Sequence, residues 1–265
     1  MLVLLVKWIL VAIVVAVLLS TFLFKNISSE MLHHVRGLAS SEWSDLRTGD
    51  ILLFGSYLMP HYLVLQATNL TYYYHVAMVY RTDHPPAGLE RDPAGIYIWQ
   101  ISLLEGDRMA HLCPLQRFLG EYHRLDYVVQ RKLEHPLTEA ELDRRFLAMM
   151  AANSEATYSL ACVGHALGRV LAPLRRLLGL PESPRRKLRK RGQLYCSQLV
   201  GNSLVGLGAC AEVPKELLPV DFASANNLLH RGVTTNPGWR ILAERRLPTP
   251  SLSTQLLSTQ PLSAA

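Results

Sequence analysis

The sequence predicts an α+β domain, an antiparallel sheet packed with helices, preceded by one amino-terminal apolar span. Three observations predict it. The first 24 residues carry a single charge, short β-patterned segments separated by turn signals follow between residues 51 and 131, and later segments switch to helical periodicity. At 265 residues and 49% hydrophobic content the chain can bury one sizeable core, with appendages.

Between Met1 and Phe24 the only charged side chain is Lys7, in a run of Leu, Val, Ile, Ala, Trp and Phe. A helix crosses about 30 Å of hydrocarbon with roughly 20 residues, so the run is long enough to span a bilayer once. A cleaved signal would have a shorter apolar core and a small-x-small cleavage site, and neither is present. An uncleaved single-pass membrane anchor is therefore expected over 1–24, with Lys7 and Trp8 at the near interface. Residues 25–42 read as a polar stalk, 43–245 as the folded domain and 246–265 as a disordered tail. The positive-inside count leans toward a cytosolic domain, through Lys25, Arg36 and Arg47. Sequons at Asn26 and Asn69 would matter only in the secretory lumen.

The domain opens on Trp43-Ser44-Asp45-Leu46-Arg47-Thr48-Gly49-Asp50, a turn that feeds the buried-strand pattern Ile51-Leu52-Leu53-Phe54. Tyr72 to Tyr80 is a second strand, with His75, Ala77 and Val79 on one face and Val76, Met78 and Tyr80 on the other. Breakers from His84-Pro85-Pro86 to Gly95 make a loop. Ile96 to Ser102 is a third strand, on which Ile98, Gln100 and Ser102 face together. Met109 to Leu115 reads as a fourth strand and Tyr127 to Arg131 as a fifth.

Thr138 and Glu141 have capping-box spacing ahead of the helical stripe Leu142, Phe146 and Met149 or Met150. Residues 158–180 are apolar, with scattered arginines and a break at Pro173. A helix–turn–helix excursion and a lipid-facing insertion fit them equally. Leu194 to Leu207 is a further helix, with Val200, Leu204 and Leu207 on one side. Near the end, Leu252-Ser253-Thr254-Gln255 is nearly repeated from Leu257, a low-complexity pattern of a tail.

Composition excludes several classes. Four cysteines (Cys113, Cys162, Cys196, Cys210) without a CxxC pair form neither a disulfide framework nor a zinc pattern, and a reducing compartment fits them best. There is no metal cluster, phosphate loop or GxGxxG fingerprint, so no cofactor is expected. Much of the net charge of +6 sits in the run from Arg185 to Arg191. That run reads either as a solvated loop or as a patch for anionic lipid headgroups; without aromatic or groove-reading company, nucleic acid ranks behind both as a partner.

A cysteine becomes nucleophilic when its thiolate is stabilised, and a helix N-terminus supplies unsatisfied N–H groups and the positive end of the macrodipole. Cys196 has that position; Cys162 and Cys210 lie among small apolar residues, and Cys113 precedes Pro114 on a strand. Of ten histidines, His33 and His34 fall in the stalk, and His84, His135 and His230 fall near prolines or chain-polar ends. His75 begins a strand whose pattern makes it central, where an imidazole base would be held rigidly.

In order, LRTGDILLF, YYYHVAMVY and YCSQLV resemble the permuted NlpC-like branch of the papain superfamily, in which the histidine strand precedes the cysteine helix. The likeness spans roughly residues 43 to 225 and extends more distantly to the lecithin:retinol acyltransferase-like enzymes. It implies a circularly permuted papain-like fold, with Cys196 as nucleophile and His75 as base. A third polar residue, often Glu, comes in that branch from the next strand; here YIWQIS puts Gln100 at the matching place, with Glu105 as its rival. An amide oxygen can fix the imidazole tautomer, yet stabilises the imidazolium less than a carboxylate. Asp50, in the entry motif, is read as structural.

The resemblance implies a cysteine thiol hydrolase or acyltransferase acting on peptide or lipid amides or esters through an acyl-enzyme. A second class stays open: a membrane-tethered binding or scaffold module that keeps the fold without turnover, which the glutamine at position 100 favours.

Overall fold

A computed structural model describes residues 42–56, 73–102, 108–121, 126–159, 192–214 and 217–248. The anchor, the stalk up to residue 41, the basic run, both sequons, Cys162 and Glu105 lie outside the described residues. Among the described residues no helix is long and apolar enough to cross a membrane.

The chain is α+β. Eight strands, β1 (Ile51–Gly55), β2 (Tyr73–Arg81), β3 (Ile96–Gln100), β4 (His111–Pro114), β5 (Tyr127–Glu134), β6 (Thr157–Tyr158), β7 (Gln193–Leu194) and β8 (Arg240–Leu247), and four helices, α1 (Leu115–Glu121), α2 (Glu139–Asn153), α3 (Cys196–Leu207) and α4 (Ala225–His230), are described. Six strands form an antiparallel sheet in the order β4-β3-β2-β1-β5-β8, while β6 and β7 pair in parallel.

β1 and β2 are covered on both faces, which is why both read as near-continuous apolar runs. One core cluster joins Leu53, Val76, Met78 and Trp99 to Phe146 of α2 and Leu199, Val200 and Leu204 of α3. A second joins Leu52, Phe54, Ala77, Val79 and Ile98 to Leu115 and Phe118 of α1. The faces therefore alternate along each strand, as the period of two requires. In β2 the alternation slips once: Phe54 pairs with His75 but Gly55 with Tyr73, leaving Tyr74 as an extra, bulged residue. Gly55 is obligatory there, because a Cβ would sit 2.1 Å from the Tyr127 ring.

α2 starts at the expected place, with Thr138 Oγ1 accepting the Glu141 N–H at 3.3 Å. The reciprocal half of the box is not the one the spacing suggested: the Glu141 carboxylate takes Arg144 and, at 2.8 Å, Arg145. Leu142, Phe146, Met149 and Met150 are all buried. Arg145 Nη1 in turn donates to Leu207 O at 3.0 Å, capping the end of α3.

Two boundaries differ from the sequence reading. The fourth strand ends at Pro114, which has no N–H to extend the ladder, and Leu115 opens α1 instead of continuing the strand. β8 continues through Arg246 and Leu247, two residues into the segment assigned to the tail. There it pairs with Val129 and Val128 and buries Leu247 completely.

Asp50 is structural, as its motif suggested. Its carboxylate is buried and accepts the N–H of Arg47 (3.0 Å), the N–H of Leu133 (3.0 Å) and Gln130 Nε2 (2.7 Å), tying the entry turn to β5. Burial pushes its pKa above the usual carboxylate value, against the lowering effect of those bonds.

Candidate active site

His75 lies third in β2, at the bulge, with 5% of its surface exposed. Gln100 is the last residue of β3 and fully buried. The structure brings them together: His75 Nε2 and Gln100 Oε1 are 2.8 Å apart. An amide oxygen only accepts, so Nε2 carries the proton and Nδ1 of the neutral ring holds the lone pair. The bond lies beyond the last ladder pair between these strands, Met78 with Trp99.

Two phenyl rings bracket the imidazole. Phe118 of α1 stacks on it at 5.7 Å with an interplanar angle of 27°, and Phe54, its cross-strand partner, lies at 5.7 Å and 36°. The two phenyl rings also touch one another, at 4.7 Å. Phe118 is held there by a remote cap: the buried Asp92, in the loop before β3, accepts the Gln116 N–H at 3.1 Å in the first turn of α1, while its other oxygen accepts Ala94 N and Ile96 N. Sequence reasoning missed this bracket. The register of β1 against β2 would have offered Phe54, but no local pattern pointed to Phe118.

Cys196 is the first residue of α3, one residue after the end of β7 plus the extended N-cap Tyr195 (φ −125°, ψ 166°). The first intrahelical bond runs from Leu199 N to Tyr195 O at 2.9 Å, so the N–H groups of Cys196, Ser197 and Gln198 precede the helical ladder. No side chain of the N-cap competes for them. α3 packs against β2 and β3. Cys196 is 6% exposed and belongs to the first core cluster, whereas both ring neighbours of His75 belong to the second. Gln100 is thus in contact with His75, and Cys196 stands on the helix that crosses their strands.

The other cysteines differ. Burial pushes the Cys210 thiol up to about 11, so it stays protonated at neutral pH. Cys113 is buried opposite Ile98. Among the described residues, no group of three His, Cys, Asp or Glu side chains is placed to hold a metal ion.

No protein-family model matches the chain, and no curated protein matches it. Among solved structures it is similar to the metalloprotein yiiX from Escherichia coli O157:H7, titled DUF1105, at 12% identity and a TM-score of 0.41, covering 76% of this chain and 98% of that one. A likeness at that level bears on neither fold family nor activity.

Proposed function

We propose that this protein is a membrane-anchored, cysteine-dependent hydrolase or acyltransferase of circularly permuted papain-like (NlpC-like) fold, cleaving an amide or ester bond through an acyl-enzyme. The buried 2.8 Å bond between His75 Nε2 and Gln100 Oε1 carries the reading, because it presets the tautomer a base needs. Cys196 at the start of α3 supports it, since the helix terminus favours the thiolate.

The chemistry balances as follows. His75 Nδ1 takes the Cys196 proton, and Sγ adds to the substrate carbonyl carbon, whose π pair moves onto oxygen. The backbone N–H of Cys196 helps to hold that oxyanion. Collapse re-forms the C=O and expels the alcohol or amine, which takes the proton from the imidazolium. Water, or an acceptor alcohol or amine, then attacks the thioester with His75 again as base, restoring the thiol. This course requires Sγ and Nδ1 to meet near the amino-terminal end of β2, where His75 follows the Tyr74 bulge. Bilayer lipid is the expected surface, with residues 185–191 as a contact for anionic headgroups.

Labelling of the full chain by a thiol-directed acyl probe tests this. Labelling is expected in wild type and in Cys210→Ala, and is expected to vanish in Cys196→Ala and fall in His75→Ala. Persistent labelling of Cys196→Ala sinks the assignment. The second reading, a membrane-tethered binding module without turnover, is favoured by one observation: Cys196 and the rings around His75 sit in different core clusters. It predicts that wild type resists the probe while binding ligands undiminished.

A further inference from the structure

From Asp83 to Arg91 the β2–β3 loop is exposed or half-buried throughout, yet the residue that follows, Asp92, is 2% exposed. Every polar group of Asp92 is engaged. Its N–H donates to Tyr97 Oη at 2.9 Å, and its carbonyl accepts the Gly95 N–H at 3.0 Å. Oδ1 accepts the N–H groups of Ala94 (2.9 Å) and Ile96 (3.2 Å), a turn closed by its own side chain. Oδ2 accepts the Gln116 N–H at 3.1 Å. All but the last of these bonds fix Asp92 to the end of its loop and the start of β3. The last reaches another element.

That element, α1, has seven residues, too few to hold by helical bonding alone. Leu115, Phe118 and Leu119 bury it in the second core cluster, while Gln116, Arg117 and Gly120 stay exposed. Apolar burial is non-directional, so it presses α1 onto the sheet without fixing its rotation or its position along it. A hydrogen bond does fix them. Gln116 stands two residues before Phe118, so its bond to Asp92 sets the plane in which the Phe118 ring meets the imidazole, at 5.7 Å and 27°. The same loop has a second tie to α1, Glu90 with Arg117 at 3.9 Å, but both side chains are more than half exposed and water screens them.

We propose that Asp92 is a positioning residue for His75: through the Gln116 N–H it fixes α1, and through Phe118 it holds the imidazole against Gln100. None of its own bonds goes to His75 or Gln100. The consequence for turnover rests on the cysteine-hydrolase reading; the orientation of the ring does not. A helix cap without this role costs stability when it is lost and leaves the ring as it was. Asp92→Asn separates the two uses of the carboxylate. The asparagine oxygen still serves Ala94 and Ile96, while its NH2 meets the Gln116 N–H donor to donor. Asp92→Ser keeps an oxygen for the turn and offers nothing to Gln116, so it controls for any distortion the amide brings.

The test uses the full chain with two readouts. Nitrogen-15 histidine spectra report the tautomer of His75, assigned by difference from His75→Ala, and labelling of Cys196 by the acyl probe is timed in parallel. Both Asp92 variants are expected to turn the single Nε2–H tautomer into a mixture and to slow labelling about tenfold. In a Phe118→Leu background neither variant adds to either change, because the ring it positions is gone. Glu90→Gln, which cuts the screened pair, leaves both readouts at wild type. The proposal is overturned by a single Nε2–H tautomer in both Asp92 variants, by effects that add to those of Phe118→Leu, or by an equal shift in Glu90→Gln. Loss of the fold in both variants also overturns it, since Asp92 then holds the domain and not the ring. A tautomer shift with Cys196 unlabelled, or labelled at the wild-type rate, leaves Asp92 in its role and removes His75 as the base.

Discussion

The sheet buries polar side chains in two regions, and it uses them differently. On the β1–β5–β8 side they bond mostly to backbone: Asp50 takes two N–H groups besides Gln130 Nε2, and Arg131, 1% exposed, donates to Leu242 O (2.7 Å) and Phe222 O (2.8 Å). The Asp50 bonds and the Phe222 bond join segments that the ladder alone does not join, the entry turn to β5 and the 219–222 turn to β5, while the Leu242 bond reinforces the β5–β8 pair. On the β2–β3 side the His75–Gln100 bond runs from side chain to side chain, between strands that are already paired. The first arrangement holds the fold. The second adds little to chain connectivity and fixes the orientation of one ring, which is what a reacting group needs.

Breaking the first region should cost most. Arg131→Ala is expected to lose about 3–5 kcal/mol, because it strands the buried Phe222 carbonyl and the half-buried Leu242 carbonyl and leaves the nearby Glu244 charge without its cation. The midpoint of urea unfolding measures this. A loss below about 1 kcal/mol would mean that the β5 side is no more structural than the β3 side.

Asp50→Asn is expected to lose about 1–3 kcal/mol, since an amide turns a donor toward Gln130 or Arg47 where an acceptor stood. The pH dependence has a definite sign. The folded pKa of Asp50 is raised above its unfolded value near 3.8, so the folded state binds more protons in the window just above that pH. Stability contributed by this group falls as pH rises through the window and levels off above the folded pKa. Asp50→Asn removes that slope, and a variant whose unfolding midpoint keeps it would show that another group titrates there.

On the β2–β3 side the effects should appear in chemistry more than in stability. Phe118→Leu is expected to lose about 0.5–1.5 kcal/mol with the ring stack. Nitrogen-15 spectra of His75 should at the same time pass from the single Nε2–H tautomer to a mixture. An unchanged spectrum would show that Gln100 alone sets the tautomer. Gln100→Glu keeps an acceptor at the same atom and adds a charge that steadies the imidazolium; at this fully buried position it carries a desolvation cost that pairing with His75 offsets, and it is expected to raise the labelling rate of Cys196 on the order of tenfold. An unaltered rate would place His75 outside the chemistry.

These residues also show what the sequence displays and what it hides. β1, β2, β3 and β5, and the stripe of α2, were legible because a strand buried on both faces is a solid apolar run and a helix packed on one face has a 3.6 period. β8 was not legible. Its burial pattern is irregular and four of its eight residues are charged, because it closes the sheet at an edge. α1 was hidden by Pro114, which reads as a strand end or a helix start with equal ease. At the site, His75 and Gln100 could be paired in advance because adjacent strands put them within reach. The bracket of Phe54 and Phe118 could not, since it depends on how α1 is hung from Asp92 across the sheet, and no spacing records that.

The Arg131 bonds also bear on the order in which the protein is made. Its guanidinium is matched to carbonyls 91 and 111 residues further along the chain. At a synthesis rate of about 5–20 residues per second, β5 emerges from the ribosome roughly 5–20 s before β8 does. Through that interval β5 presents an unpaired edge whose central arginine is hydrated and cannot yet be buried. The same charge that later locks the strand in place keeps that waiting edge from being occupied by a wrong one.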